Sequence, residues 1–173
     1  MTTRAKGKWA QGIRPRNFAW VIKDRLAVCE RPGGFGANHR RVRRQEEIIW
    51  LREQGFTCVV SIIPSPHNLH NYDELGVGYL HLPFGPNDDS AELIGRFYPD
   101  LHRRLRAGGK VVLHGEELSD RVAGLVGGYI RWSGLVPHDP QAIAITERLT
   151  SRQLDPFGRG LVALAGQLPG PGR

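Results

Sequence analysis

Val111-Val112-Leu113-His114-Gly115-Glu116-Glu117-Leu118-Ser119-Asp120-Arg121-Val122-Ala123-Gly124 decides how this chain of 173 residues is read. A β-branched run stops at a histidine, a short polar turn follows, and an apolar pattern then starts at helical spacing. The stretch therefore predicts a strand that hands over to a helix. The first turn of such a helix carries backbone N–H groups with no partner inside it, and the helix dipole adds partial positive charge. A loop of this kind can cradle a phosphate. Arg121 offers a fork able to grip two of its oxygens, unless Asp120, Glu116 or Glu117 holds it at the helix start instead.

Working outward, Lys110 to His114 is the strand, and Gly108-Gly109 ends the helix before it. That helix has Ser90 as its cap and carries Ile94, Phe97, Tyr98, Leu101 and Leu105 at spacings of three and four. Upstream, Phe18–Ile22 and Leu26–Cys29 read as short strands around a polar turn. Asn38 is the expected cap of a helix reaching Gln54, and Thr57–Ile63 is a strand apolar on nearly every residue, as in a parallel sheet covered on both faces. The span from Pro64 to Tyr72 reads as loop, with His67 and His70 exposed, and Val77–Pro83 as a further strand. Beyond Arg121, Val122, Leu125, Val126, Tyr129 and Ile130 share one helix face, and Gly124, Gly127 and Gly128 allow close packing on the sheet. Helices from Pro140 to Leu149 and from Pro156 to Leu168 complete the chain. Strands alternating with helices mean an α/β fold with a mostly parallel central sheet flanked by helices, whose ligands sit beyond the carboxyl ends of the strands.

The length suits one domain, expected over residues 17–168 between a basic, disordered tail at 1–16 and a frayed end at 169–173. No apolar run is long enough for a membrane span and none resembles a secretory signal, so a cytoplasmic protein is expected. Cys29 and Cys58 sit in strand-like segments and read as buried, reduced thiols. No Cys/His cluster has metal-ligand spacing. The formal charge of +7 favours anionic partners without naming one. Arg4, Lys6, Lys8, Arg14 and Arg16 form one basic group, read as solvated tail. His39-Arg40-Arg41-Val42-Arg43-Arg44 forms another, read as a solvated helix face paired with Glu46 and Glu47. Nucleic-acid binding through these segments is the rival reading, with Trp9 as the one aromatic beside the tail charges.

The opening stretch also resembles the active-site loop of the cysteine-dependent protein phosphatases: His-Cys, five residues, then Arg and a Ser or Thr. His114 and Arg121 take the family's positions, and Phe18–Ile22 with Arg25-Leu26-Ala27, Gly55–Ile62, Gly76–Pro83 and Ala142-Ile143 resemble further segments of the small atypical dual-specificity phosphatases. The resemblance, over most of residues 18–165, implies a protein tyrosine/dual-specificity phosphatase-like fold. Gly115 stands where the family has its nucleophilic Cys, Leu118 where it has Gly, and Val122 where it has Ser or Thr. Phe84 stands where the closest relatives place their acid, leaving Asp88 and Asp89 as vestigial candidates. Asp120 matches the branches that carry Asp before the loop Arg.

A glycine cannot form the phosphocysteine that this chemistry passes through. The expectation is a pseudophosphatase with a degenerate site at His114, Gly115, Asp120 and Arg121, no catalytic residue, no cofactor and no metal. Its partner would be a phosphorylated ligand or a protein, met by Arg121, Gly115, Glu116, Glu117, Leu118, Ser119 and Asp120. Two obstacles to the ligand are expected: Leu118 straining the loop, and Glu116, Glu117 and Asp120 repelling a dianion. The enzyme rival is a hydrolase that uses His114 and the loop acids to activate water.

Overall fold

The computed structural model describes residues 11–172. Five strands, β1 (Ala19–Ile22), β2 (Leu26–Cys29), β3 (Cys58–Ser61), β4 (Tyr79–His81) and β5 (Val111–His114), form one sheet in the order β1-β2-β5-β3-β4. Only β1 runs antiparallel to its neighbour, and its register breaks between Trp20 and Ile22. The other pairings are parallel, with β5 central between β2 and β3. The fold is thus the mostly parallel α/β sheet read from the sequence.

Alternation along the strands divides the core in two. Leu26, Val28, Cys58, Val60, Val111 and Leu113 face a layer made by α3 (Ser90–Arg106), α4 (Asp120–Trp132), α5 (Asp139–Thr150) and α6 (Pro156–Gln167). Ala27, Cys29, Val59 and Val112 face α1 (Arg41–Glu53) and the single turn α2 (His70–Glu74). Both cysteines are free and buried, on opposite faces of the sheet.

Several local readings need correction. Asn38 is no cap: it ends a 3₁₀ turn, Gly36–Asn38, and the chain stays extended through His39 and Arg40 before α1 begins. Asp89, not Ser90, caps α3, accepting from the Glu92 N–H at 3.1 Å. The loop after β3 contains α2, which its prolines and asparagines obscured. The glycines of α4 admit other helices rather than the sheet. A Cβ at Gly124 would stand 2.7 Å from Gly158 Cα, one at Gly127 2.7 Å from Thr146 Oγ1, and one at Gly128 2.3 Å from the Tyr98 hydroxyl.

At the chain's ends the body reaches further than expected. Within the stretch read as tail, Ile13 N–H donates to Glu46 O at 3.1 Å, and the Arg14 guanidinium lies over the Phe18 ring. Arg4, Lys6, Lys8 and Trp9 lie outside the described residues. At the other end, Pro169 is not frayed: its carbonyl accepts from the Trp132 indole at 2.7 Å. Among the described residues no helix is long and apolar enough to cross a membrane.

Candidate functional site

The strand ends β3 and β5, the loop after β4 and the first turn of α4 enclose a cavity of about 210 Å³. Ile62, Ile63, Pro64, Phe84, Gly85 and Pro86 form its apolar side; Gly115, Glu116, Glu117, Ser119 and Arg121 form the other. Of the loop residues expected at a ligand, Leu118 and Asp120 do not line it.

Arg121 is the cation of this cavity. Its guanidinium carbon lies 5.3 Å from the centroid of Phe84 and 5.2 Å from that of Phe157, so two rings hold it by their negative faces. Its Nε is buried and has no hydrogen-bond partner among the described residues. The structural role considered for Arg121, pairing with a loop acid, is therefore not the one it has. Glu116 is held by Arg31 at 3.1 Å, and this pair also joins the loops after β2 and β5 through Arg31 N–H to Glu116 O. Glu117 is exposed.

Asp120 faces away from the cavity. Its Oδ1 accepts from Asp155 N–H and its Oδ2 from Gly158 N–H, each at 2.7 Å. It thus caps the start of α6 from a neighbouring helix, where Asp155 makes no side-chain cap of its own. Asp88 and Asp89 are engaged likewise: Asp88 accepts from Gly85 N–H within its loop, and Asp89 caps α3. None of the three aspartates lines the cavity. The Phe84 side chain, at the place the resemblance gives to an acid, is fully buried beneath Arg121.

His114 ends β5 on the opposite side of the sheet. Its Nδ1 is 2.9 Å from Gly115 O, which can only accept, so Nδ1 carries the proton and Nε2 accepts from the Tyr72 hydroxyl at 3.2 Å. Burial, as the main cause, pushes the imidazole pKa down to about 4, helped by the Arg31 charge and opposed by the Gly115 bond. A neutral imidazole with both nitrogens engaged is not itself free to take a proton from water.

The loop follows an ordinary path. No residue from Gly115 to Arg121 has a positive φ, so Leu118 carries none of the expected strain; its side chain packs against the core and its carbonyl accepts from Arg152 at 2.9 Å. The Ser119 side chain caps α4 by accepting from Val122 N–H, while Ser119 N–H donates to Glu117 O at 2.9 Å. That amide is spent within the loop rather than offered to a ligand.

Phe157, Arg31 and Arg152 complete the site's surroundings, and the sequence reading missed all three. Only the charge of the two arginines could have flagged them. His67 and His70 are exposed, as expected. Among the described residues no group of three His, Cys, Asp or Glu side chains is placed to hold a metal ion.

No protein-family model and no curated protein matches the sequence. Solved structures share its architecture. Kinase-associated phosphatase with serine substituted for its catalytic-site cysteine aligns with a TM-score of 0.72, 18% identity, and coverage of 87% of this chain and 92% of that one. Tk-PTP in its active form gives 0.69 and 18%, over 88% and 98%. The human tyrosine phosphatase-like serine/threonine/tyrosine-interacting protein gives 0.64 and 18%, over 86% and 92%. With identities this low the likeness is one of architecture, and the chain has the fold of the protein tyrosine and dual-specificity phosphatases.

Proposed function

We propose that this protein is a pseudophosphatase that holds a phosphorylated ligand on Arg121 without cleaving it. The observation that carries this reading is the buried, unpartnered Arg121 Nε beside a cavity of about 210 Å³ whose loop begins with glycine. A buried charged donor left without an acceptor costs on the order of 1–3 kcal/mol, which an oxyanion accepting from it would recover. Phe84 and Phe157 fix the guanidinium, so little side-chain freedom is lost when the ligand arrives. Arg31 neutralises Glu116, which removes much of the repulsion that the loop acids would otherwise exert. Gly115 has no atom to attack phosphorus, and no aspartate lines the cavity to protonate a leaving group.

Calorimetry with phenyl phosphate tests the reading, alongside release of nitrophenol from p-nitrophenyl phosphate. Wild-type protein should bind and give no hydrolysis above background. Arg121→Met, which keeps an unbranched chain between the two rings, should weaken binding by about tenfold or more, the size of one lost charge-assisted contact. Undiminished binding in that variant, or hydrolysis that survives repurification and vanishes with it, would overturn the proposal.

A further inference from the structure

A second arginine in the described residues has a buried, unpartnered Nε, and it lies on the other side of the loop. Arg44 is only 8% exposed, and its Nε has no hydrogen-bond partner. The sequence reading placed it on a solvated helix face. Its neighbour Arg43 does pair with Glu47, at 3.3 Å, but Arg44 turns inward and contacts His39 Nε2 through a terminal nitrogen at 3.2 Å.

Arg44 lines a cavity of about 20 Å³ together with Arg31, Ser61, Ser65, His67 and Tyr72. That volume admits one water-sized atom. The acids nearby are already employed. Glu116 is paired with Arg31, Glu47 with Arg43 and the Gly33 N–H, and Glu74 accepts from Asn71. Tyr72 spends its proton on His114. Arg44 is thus a buried cation with a free donor, close to a second cation, in a space that fits a single oxygen. The pKa of His39 is lowered, chiefly by burial and next by Arg31 and Arg44, in keeping with a positive local field.

We infer that Arg44, with Arg31 and the Ser61 and Ser65 hydroxyls, forms a second anion subsite that takes one oxygen of an oxyanion group, a carboxylate or a phosphate. This extends the anion-binding reading of the Arg121 cavity. The two sites share the wall residue Ile63 and meet at the Arg31–Glu116 pair.

Each arginine reports on itself, because a buried Nε–H gives its own signal in a ¹H–¹⁵N spectrum. The Arg44 and Arg121 signals are assigned by their loss in Arg44→Lys and Arg121→Lys, whose backbone dispersion shows whether each is folded. Inorganic phosphate is then titrated against sodium chloride of matched ionic strength. The Arg44 signal should move saturably with phosphate, and in Arg121→Lys it should do so with a midpoint changed by less than about twofold, as for independent sites. An Arg44 signal that stays fixed while that of Arg121 saturates would overturn the second subsite and leave the first standing. Movement that never saturates, or that sodium chloride reproduces, would also overturn it. If Arg44 saturates and Arg121 does not respond, the proposed function fails and this inference survives.

Discussion

Gly115 is a smaller obstacle to restoring a thiol than its absence of side chain suggests, because its backbone is open to any residue. A Cβ there would stand 3.1 Å from Val122 Cγ2 and 3.4 Å from Glu117 O, a tight fit that a small loop movement relieves. Gly115→Cys should therefore fold, yet it should leave hydrolysis of p-nitrophenyl phosphate at background. The new thiol would face no aspartic acid, since Phe84 occupies that wall, and Val122 offers no hydroxyl to help the sulfur leave. The triple change Gly115→Cys, Leu118→Gly, Val122→Ser should exceed the single one in activity per folded molecule. It should also melt at a lower temperature, because Val122 is fully buried and Leu118 packs on the core. Assays of both variants beside thermal melts decide the point, and robust turnover by the single variant would show the site to be one atom from activity.

At the scale of the elements, the start of α6 depends on a side chain from α4. Asp120→Ala removes acceptors from Asp155 N–H and Gly158 N–H together, and the loss should be about 1–2 kcal/mol, as for a helix cap. Urea unfolding measures that loss. Phenyl phosphate binding should be undiminished in the same variant, whereas a residue acting at the ligand would change it. Here sequence and structure part for a physical reason. The strand-to-helix change at His114 is written in local periodicity, so β5, α4 and the cavity at their junction were legible. The partners of Asp120 lie 35 and 38 positions along the chain, and nothing local announces them. Arg44 was misread on the same grounds: on its own helix it resembles Arg43, and only the loops after β2 and β3 decide which of the two is buried. Phe157 was overlooked because one aromatic at a helix start carries no pattern until Arg121 lies against it.

For the whole molecule, His114 links the site to global stability. The folded imidazole has a pKa of about 4, whereas an unfolded histidine titrates near 6.5. Between those values the unfolded chain binds the extra proton, so stability is full above pH 6.5 and falls as pH drops toward 4. The difference, about 2.5 pKa units, corresponds to a loss of about 3 kcal/mol across that window. Urea denaturation at several pH values should show this slope in the wild type and a shallower one in His114→Asn, which cannot titrate there. Equal slopes would mean that other groups carry the acid sensitivity.

The two outer strands have a consequence of another kind. At one border β1 loses its register within four residues; at the other β4 is only three residues long. Neither border offers the long, even row of amides and carbonyls on which a foreign strand could zip. Edge-to-edge growth, strand added to strand as in a fibril, therefore finds poor purchase on the folded form.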